Sequence, residues 1–459
     1  MQNTLFAKQA LLPTGWADNV LIQWDAAGNI TQVTPNSQAT ANVTHIEHLI
    51  PGMPNLHSHA FQRAFSGLTE YRASRQESFW SWRKLMYDFA GSISPEQLEA
   101  VATWLYTEML EAGYTSVCEF HYVHHQTDGH PYADTATLSE SLLRAAKNTG
   151  IGMTLLPVCY QTSGFGGLPP NDGQKRFINS TPDMLALLEK LAPQCQTQGA
   201  RLGVAPHSLR AITPESLSAL LTGLRHIDKT APIHIHIAEQ TKEVEDCISW
   251  SGQRPVAWLM DHMPVDQHWC LVHATHMDQE EYQRAAKSGA VVGICPTTEA
   301  NLGDGIFDFS QWCSHQGNWG IGSDSHATVN AAEELFMLEY SQRLNLRQRN
   351  IGASDQFPEV ASNLYLQAVR GGAQASGTAI AGIALGQRAD FVELDPEHVA
   401  LSALPTEKLL SGHVFGSSRS SAIARVWTKG QLRVNKTHDL HDAARRAFID
   451  ARAQLIASI

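Results

Sequence analysis

The sequence predicts an α/β protein: a (β/α)8 TIM-type barrel with a small β-sandwich formed by both chain ends. Three observations carry that prediction. From about residue 48 to 350, eight short apolar runs alternate with segments of helical periodicity. The flanks on either side carry short alternating β patterns instead. No glycine fingerprint follows the first strand, so an open doubly wound sheet is only the competitor. At 459 residues, 43% hydrophobic and 17% charged, the chain supplies a large core and has length for a second module.

The predicted barrel strands are HLIPGMPNLH, YTSVCEF, IGMTLLPVCY, RLGVAPH, APIHIHIAE, HWCLVHATH, AVVGICP and NWGIGSD. Each is mostly apolar, as expected when helices cover a parallel sheet on both faces. Ser94-Pro95, Thr181-Pro182 and Thr213-Pro214 each offer a capping hydroxyl followed by proline at the first helical position. Ser94 with Gln97 makes a capping box, and Gly113 ends that helix after Leu98, Val101, Leu105 and Met109 at helical spacing. Right-handed crossovers then close the barrel over 48–377. The β patterns LIQWDAAGNITQVT, ADFVELD and AIARVWTKGQLRV place a small sandwich at 1–47 plus 378–435, and 436–459 reads as a C-terminal helix.

A formal charge of −12 argues against nucleic acid or an anionic membrane as partner, because both require a basic face. Seven cysteines form no CxxC pair, a pattern expected of reduced thiols in the cytoplasm. The opening MQNTLFAKQALLPTGWADNV has no basic stretch followed by an apolar core, so no signal peptide is expected, and no apolar run reaches the roughly 20 residues that span a bilayer.

Chemistry-bearing residues collect at predicted strand ends. His57 and His59 in NLHSH lie two apart and so share a face. IHIHIAE ends the fifth strand, VHATH the sixth and SDSH the eighth. These four clusters converge on the C-terminal mouth of a barrel, where active sites are built. Three imidazoles and one carboxylate suit catalytic zinc, with iron as the alternative. From spacing alone, His234 and His236 compete for the fifth-strand position, since both share one face. Asp324 alone reads equally as a helix cap, and His273 alone as a buried core histidine.

PGMPNLHSHAFQRAFSGLTEYR, HIHIAEQ, LVHATH, GSDSH and the late G-QRADFVELD resemble the amidohydrolase superfamily and, within it, the formimidoylglutamate deiminases of histidine degradation. The similarity covers nearly the whole chain. It implies a metal-dependent hydrolase of C–N bonds in linear amidines, converting N-formimidoyl-L-glutamate to N-formyl-L-glutamate and ammonia. By this resemblance His57, His59, His236 and Asp324 hold one Zn2+ per chain, Glu239 shuttles the proton and His273 stands beside the attacking hydroxide. His236 is preferred over His234 because it stands three before Glu239, as the family pattern requires. The fourth strand ends VAPHS without a lysine, which implies one metal rather than a lysine-bridged pair.

Zinc lowers the pKa of bound water to about 7, so nucleophile is available at neutral pH. A dicarboxylate substrate calls for guanidinium partners. Arg210 lies three beyond His207 in PHSLRA, and Arg83 lies in FWSWRKLMYDF, inside the 72–92 insertion where a lid is expected. The resemblance makes Arg83 and Arg210 carboxylate clamps, with Gln62, Tyr122 and His207 as polar contacts. Rival readings are a deaminase of guanine- or cytosine-like rings, one acting on formimino-aspartate, and a non-catalytic binding protein on the same barrel. A small-molecule substrate and a homodimer complete the expectation.

Overall fold

The computed structural model describes residues 3–39, 43–70, 79–417 and 420–459, with the side chains of residues 79–81 excepted. Its strands are β1 (Thr4–Leu12), β2 (Gly15–Trp24), β3 (Ile30–Thr34), β4 (Thr44–Pro51), β5 (Met53–Ser58), β6 (Tyr114–His121), β7 (Gly152–Cys159), β8 (Arg201–Leu202), β9 (Ala205–Pro206), β10 (Ile233–Ile237), β11 (Trp269–His273), β12 (Val291–Ile294), β13 (Asn318–Ile321), β14 (Phe391–Leu394), β15 (Ile423–Thr428), β16 (Gln431–Asn435) and β17 (Thr437–His438).

Strands β5 to β13 form a parallel (β/α)8 barrel. The fourth barrel strand is broken: β8 and β9 each pair with β7, and Val204 between them bridges in parallel to Ile233 at the start of β10. Ser58 bridges to Asp324, which closes β5 against the end of β13. Asn55 secures that seam, donating from Nδ2 to Ser323 Oγ (2.7 Å) and accepting from the Ser323 backbone N–H (3.2 Å). A side chain at Gly322 would put its Cβ 2.7 Å from His57 Cβ, so only glycine lets β13 approach this closely. Leu56 lies inside against Gly293 and Gly320, while the buried Val117, Leu155, Ile235, Val292 and Ile321 alternate onto the face that the helices cover.

The remaining strands come from both chain ends and make one eight-stranded sheet in the order β17-β16-β15-β14-β4-β1-β2-β3. It packs a second core of Leu5, Val20, Ile22, Ile46, Phe391 and Trp427. The run HLIPGMPNLH therefore divides at Gly52: His48–Pro51 pairs antiparallel with β14, and Met53 onward enters the barrel. The helix over His441–Ser458 lies on that over Pro95–Glu111, with the Phe448 ring stacked on Trp104 at 6.1 Å.

Helix starts follow the expected chemistry with one correction. Ser94 makes the full capping box and Thr213 caps Pro214–Ile227. The helix Thr181–Gln198 is capped by Ser180 instead of Thr181, because the Ser180 hydroxyl reaches the Asp183 N–H and proline tolerates either of the first two helical positions. Part of the 72–92 insertion lies outside the described residues; the rest includes the helix Phe79–Ser92 at the barrel mouth.

Candidate active site

The ligand-capable atoms of His57, His59, His236 and Asp324 all lie within 4.8 Å of one another, and all four residues are buried. A register irregularity in β5 between Asn55 and Ser58 brings His57 into the barrel mouth, and the chain turns out of β5 to deliver His59 beside it. Asp324 Oδ1 is 3.3 Å from Nε2 of both His57 and His59, and His236 Nε2 is 3.0 Å from His57 Nε2. Asp324 follows β13 with a left-handed backbone (φ 43°), held by its N–H donating to the His57 carbonyl at 3.0 Å. Such a conformation costs a non-glycine residue of order 1–3 kcal/mol and persists where surroundings enforce it. His234 points to the other end of the barrel, donating from Nε2 to the Ala375 carbonyl at 2.8 Å.

Several polar groups support the cluster. His59 Nδ1 donates to the Phe120 carbonyl (2.8 Å) and His236 Nδ1 to the His207 carbonyl (3.1 Å), so both rings present Nε2 lone pairs to the centre. Glu119 accepts from the Ser58 hydroxyl (2.7 Å), the Ala60 N–H (2.6 Å) and the Tyr106 hydroxyl (3.1 Å), gripping the chain on both sides of His59. Burial pushes Glu119 up to about 7 against those hydrogen bonds. Burial also drives His57 down to about 3 and His236 well below the usual imidazole range. For Asp324 burial acts upward, but the imidazoles of His57 and His59 beside its Oδ1 carry the carboxyl well below its ordinary value. Neutral imidazoles around an ionised carboxylate are the protonation states that bind a cation.

Above the cluster, His273 Nε2 lies 3.8 Å from Asp324 Oδ2 and 3.8 Å from Glu239 Oε1. Its Nδ1 is 3.2 Å from Glu299 Oε1, and the ring sits on a left-handed backbone (φ 65°). Burial lowers the His273 pKa, but Glu239, Glu299 and Asp324 more than offset it and carry the imidazole up to about 10. Glu239 is raised by burial, with His273 and Arg210 opposing.

A cavity of about 520 Å3 opens over these groups and is lined by His59, His236, Glu239, His273 and Asp324 at its floor. Gln62, Arg83, Tyr122, His207 and Arg210 also line it. Gln62 Nε2 donates to the Tyr122 hydroxyl (3.0 Å), while its buried Oε1 has no partner among the described residues. Arg83 donates to the Tyr160 hydroxyl (3.2 Å) and lies over the Tyr87 ring, 5.0 Å from its centroid. Every residue assigned to the site by the resemblance, except His57, thus borders one cavity, and His57 lies beneath it, 3.3 Å from Asp324 Oδ1.

A sequence model of the amidohydrolase family matches residues 48–433. The chain belongs to the amidohydrolase family. A second model, the N-terminal domain of formimidoylglutamate deiminase HutF, matches residues 2–43. The chain is 47% identical to a formimidoylglutamate deiminase of Pseudomonas aeruginosa over 455 residues, covering 99% of this chain and 100% of that one. An amidohydrolase crystal structure from Brucella melitensis superposes with a TM-score of 0.94 at 46% identity, over 99% of this chain and 100% of the other. An adenosine deaminase structure from Xanthomonas campestris with bound zinc shares the fold, with a TM-score of 0.77 at 20% identity over 99% and 98% of the two chains.

The four donors fit the divalent cation typical of an amidohydrolase. His59 and His236 spend their Nδ1 protons on carbonyls, so their Nε2 lone pairs face a carboxylate oxygen and another imidazole inside a buried space. A cation removes that repulsion, and three nitrogens with one oxygen form a zinc-type donor set. Glu119, Glu243 and Glu299 escaped the sequence reading. Glu119 had a usable signal, because a lone carboxylate inside the apolar run YTSVCEF needs buried partners.

Proposed function

We propose that this amidohydrolase hydrolyses N-formimidoyl-L-glutamate to N-formyl-L-glutamate and ammonia, as a step of histidine degradation, with one Zn2+ per chain at His57, His59, His236 and Asp324. Iron suits the same donors and is the alternative ion. The observation that carries the reading is the joining, in one cavity, of that donor set with two guanidinium groups suited to a dicarboxylate. The likeness to the Pseudomonas aeruginosa deiminase supports the choice of substrate.

The bound cation would supply Lewis-acid activation of water at neutral pH. Asp324 accepts a proton from the attacking water. The water oxygen bonds to the formimidoyl carbon, whose C=N electrons move onto nitrogen, giving a tetrahedral carbon. His273, steadied at Nδ1 by Glu299, donates from Nε2 toward the charge developing on oxygen. Glu239, whose acid form burial favours, gives its proton to the terminal nitrogen, already NH2 because the amidine reacts as its cation. The C–N bond breaks, ammonia leaves, and the hydroxyl proton passes to the Glu239 carboxylate as the C=O bond forms. Arg83 and Arg210 bind the two carboxylates, while Gln62, Tyr122 and His207 orient the chain between them.

The seven cysteines are free thiols, which supports work in the reducing cytoplasm, and no described helix is long and apolar enough to cross a membrane. The proposed assembly is a homodimer, as is common for such barrels, and light scattering checks it. The functional test is ammonia release from formimidoylglutamate, formimino-aspartate and a purine panel by zinc-loaded protein, with Asp324→Asn as control. Preferred turnover of formimidoylglutamate that vanishes in the variant supports the reading; preference for a ring substrate contradicts it.

A further inference from the structure

Glu243 is the third residue of the helix Thr241–Ser251 and is 1% exposed, lying on the inward face with Val244 and Cys247. Its Oε2 accepts the backbone N–H of Glu239 at 3.1 Å and stands 3.9 Å from a terminal nitrogen of Arg210. One carboxylate oxygen therefore faces both the proton donor's backbone and the carboxylate clamp. Its Oε1 is buried without a partner among the described residues, and so is Arg210 Nε.

A buried carboxylate and a buried guanidinium each carry a large desolvation penalty when alone. Here each lies within ion-pair distance of the other, and Arg210 also lines the cavity. A guanidinium has five N–H donors in a rigid fork, more than this single contact engages, so a ligand carboxylate can share it. The Glu239 N–H follows Ala238, whose left-handed backbone (φ 51°) turns the chain out of β10. The hydrogen bond from Glu239 N to Glu243 closes that turn and fixes the start of the Glu239 side chain.

We infer that Glu243 is a positioning residue that links the carboxylate clamp Arg210 to the proton donor Glu239, an inference that rests on the function proposed above. Its charge orients Arg210 and its oxygen orients Glu239, and the two roles separate by substitution. Glu243→Gln keeps an oxygen for the Glu239 N–H and loses the charge opposite Arg210. Glu243→Ala loses both.

The test is steady-state kinetics on zinc-loaded wild type, Glu243→Gln, Glu243→Ala, Arg210→Ala and the Arg210→Ala/Glu243→Gln double variant, with zinc content and melting temperature measured alongside. Glu243→Gln should raise KM about tenfold or more with kcat within about threefold, and Glu243→Ala should lower kcat about tenfold or more as well, on the scale of a buried charge contact. Because both act on one guanidinium, adding Glu243→Gln to Arg210→Ala should raise KM less than about twofold further. Unchanged KM in Glu243→Gln, full additivity in the double variant, or losses that follow only zinc content or melting temperature overturn the inference. No wild-type turnover of formimidoylglutamate removes the functional reading itself, and this inference falls with it.

Discussion

His57 Nε2 and His236 Nε2 face each other at 3.0 Å in a buried space, while the His236 Nδ1–H donates to the His207 carbonyl. Two imidazole edges this close, with an ionised Asp324 beside them, suit a metal donor set. The consequences for proton transfer, substrate binding and metal affinity can each be measured.

Glu239→Gln should lower kcat by about 10²- to 10⁴-fold, the usual contribution of a positioned proton donor, with bound zinc unchanged. Burial raises the Glu239 pKa, so its acid form persists above the ordinary carboxylate range. Wild-type kcat should therefore fall as pH rises through that raised value. The variant, which has no proton to lose there, should lack this limb. A pH profile of both proteins checks it; near-normal turnover by Glu239→Gln would remove Glu239 from the reaction.

Arg210→Ala should cost about 2–5 kcal/mol, or about 30- to several-thousand-fold in kcat/KM, because a desolvated charge contact to the substrate is lost. The comparison is kcat/KM of folded, zinc-loaded variant and wild type. A loss below about threefold would take Arg210 out of the binding site.

Glu119→Ala should weaken zinc binding by about 10- to 100-fold, the usual effect of removing a group that orients metal ligands. Ser58 and Ala60 flank His59, and both donate to this carboxylate. Competition with a chelator of known affinity reads the change. An unaltered zinc Kd would reduce Glu119 to a core filler.

The barrel and the histidine pairs were legible because parallel strands leave apolar runs and HxH places two imidazoles on one face. Choosing His236 over His234 needed the family resemblance, since period-two alternation treats them alike; the Ala375 carbonyl that engages His234 comes from 141 positions away. The break at Gly203–Val204 was hidden for a similar reason: RLGVAPH reads as one strand until the pairing of Val204 with Ile233 is known. Glu299 and Glu243 sit on helices, where a glutamate is ordinary, and only tertiary packing brings them to His273 and Arg210. The cap shift from Thr181 to Ser180 arose because Ser-Thr-Pro offers two adjacent hydroxyls.

The central claim is that His57, His59, His236 and Asp324 hold one catalytic cation. Its most direct test is calorimetric zinc titration of chelator-stripped wild type, His236→Ala and His234→Gln, with ammonia release measured on the same samples. The expected result is one zinc per chain with restored activity for wild type and His234→Gln, and loss of both for folded His236→Ala. Unchanged zinc affinity and activity in His236→Ala would contradict it.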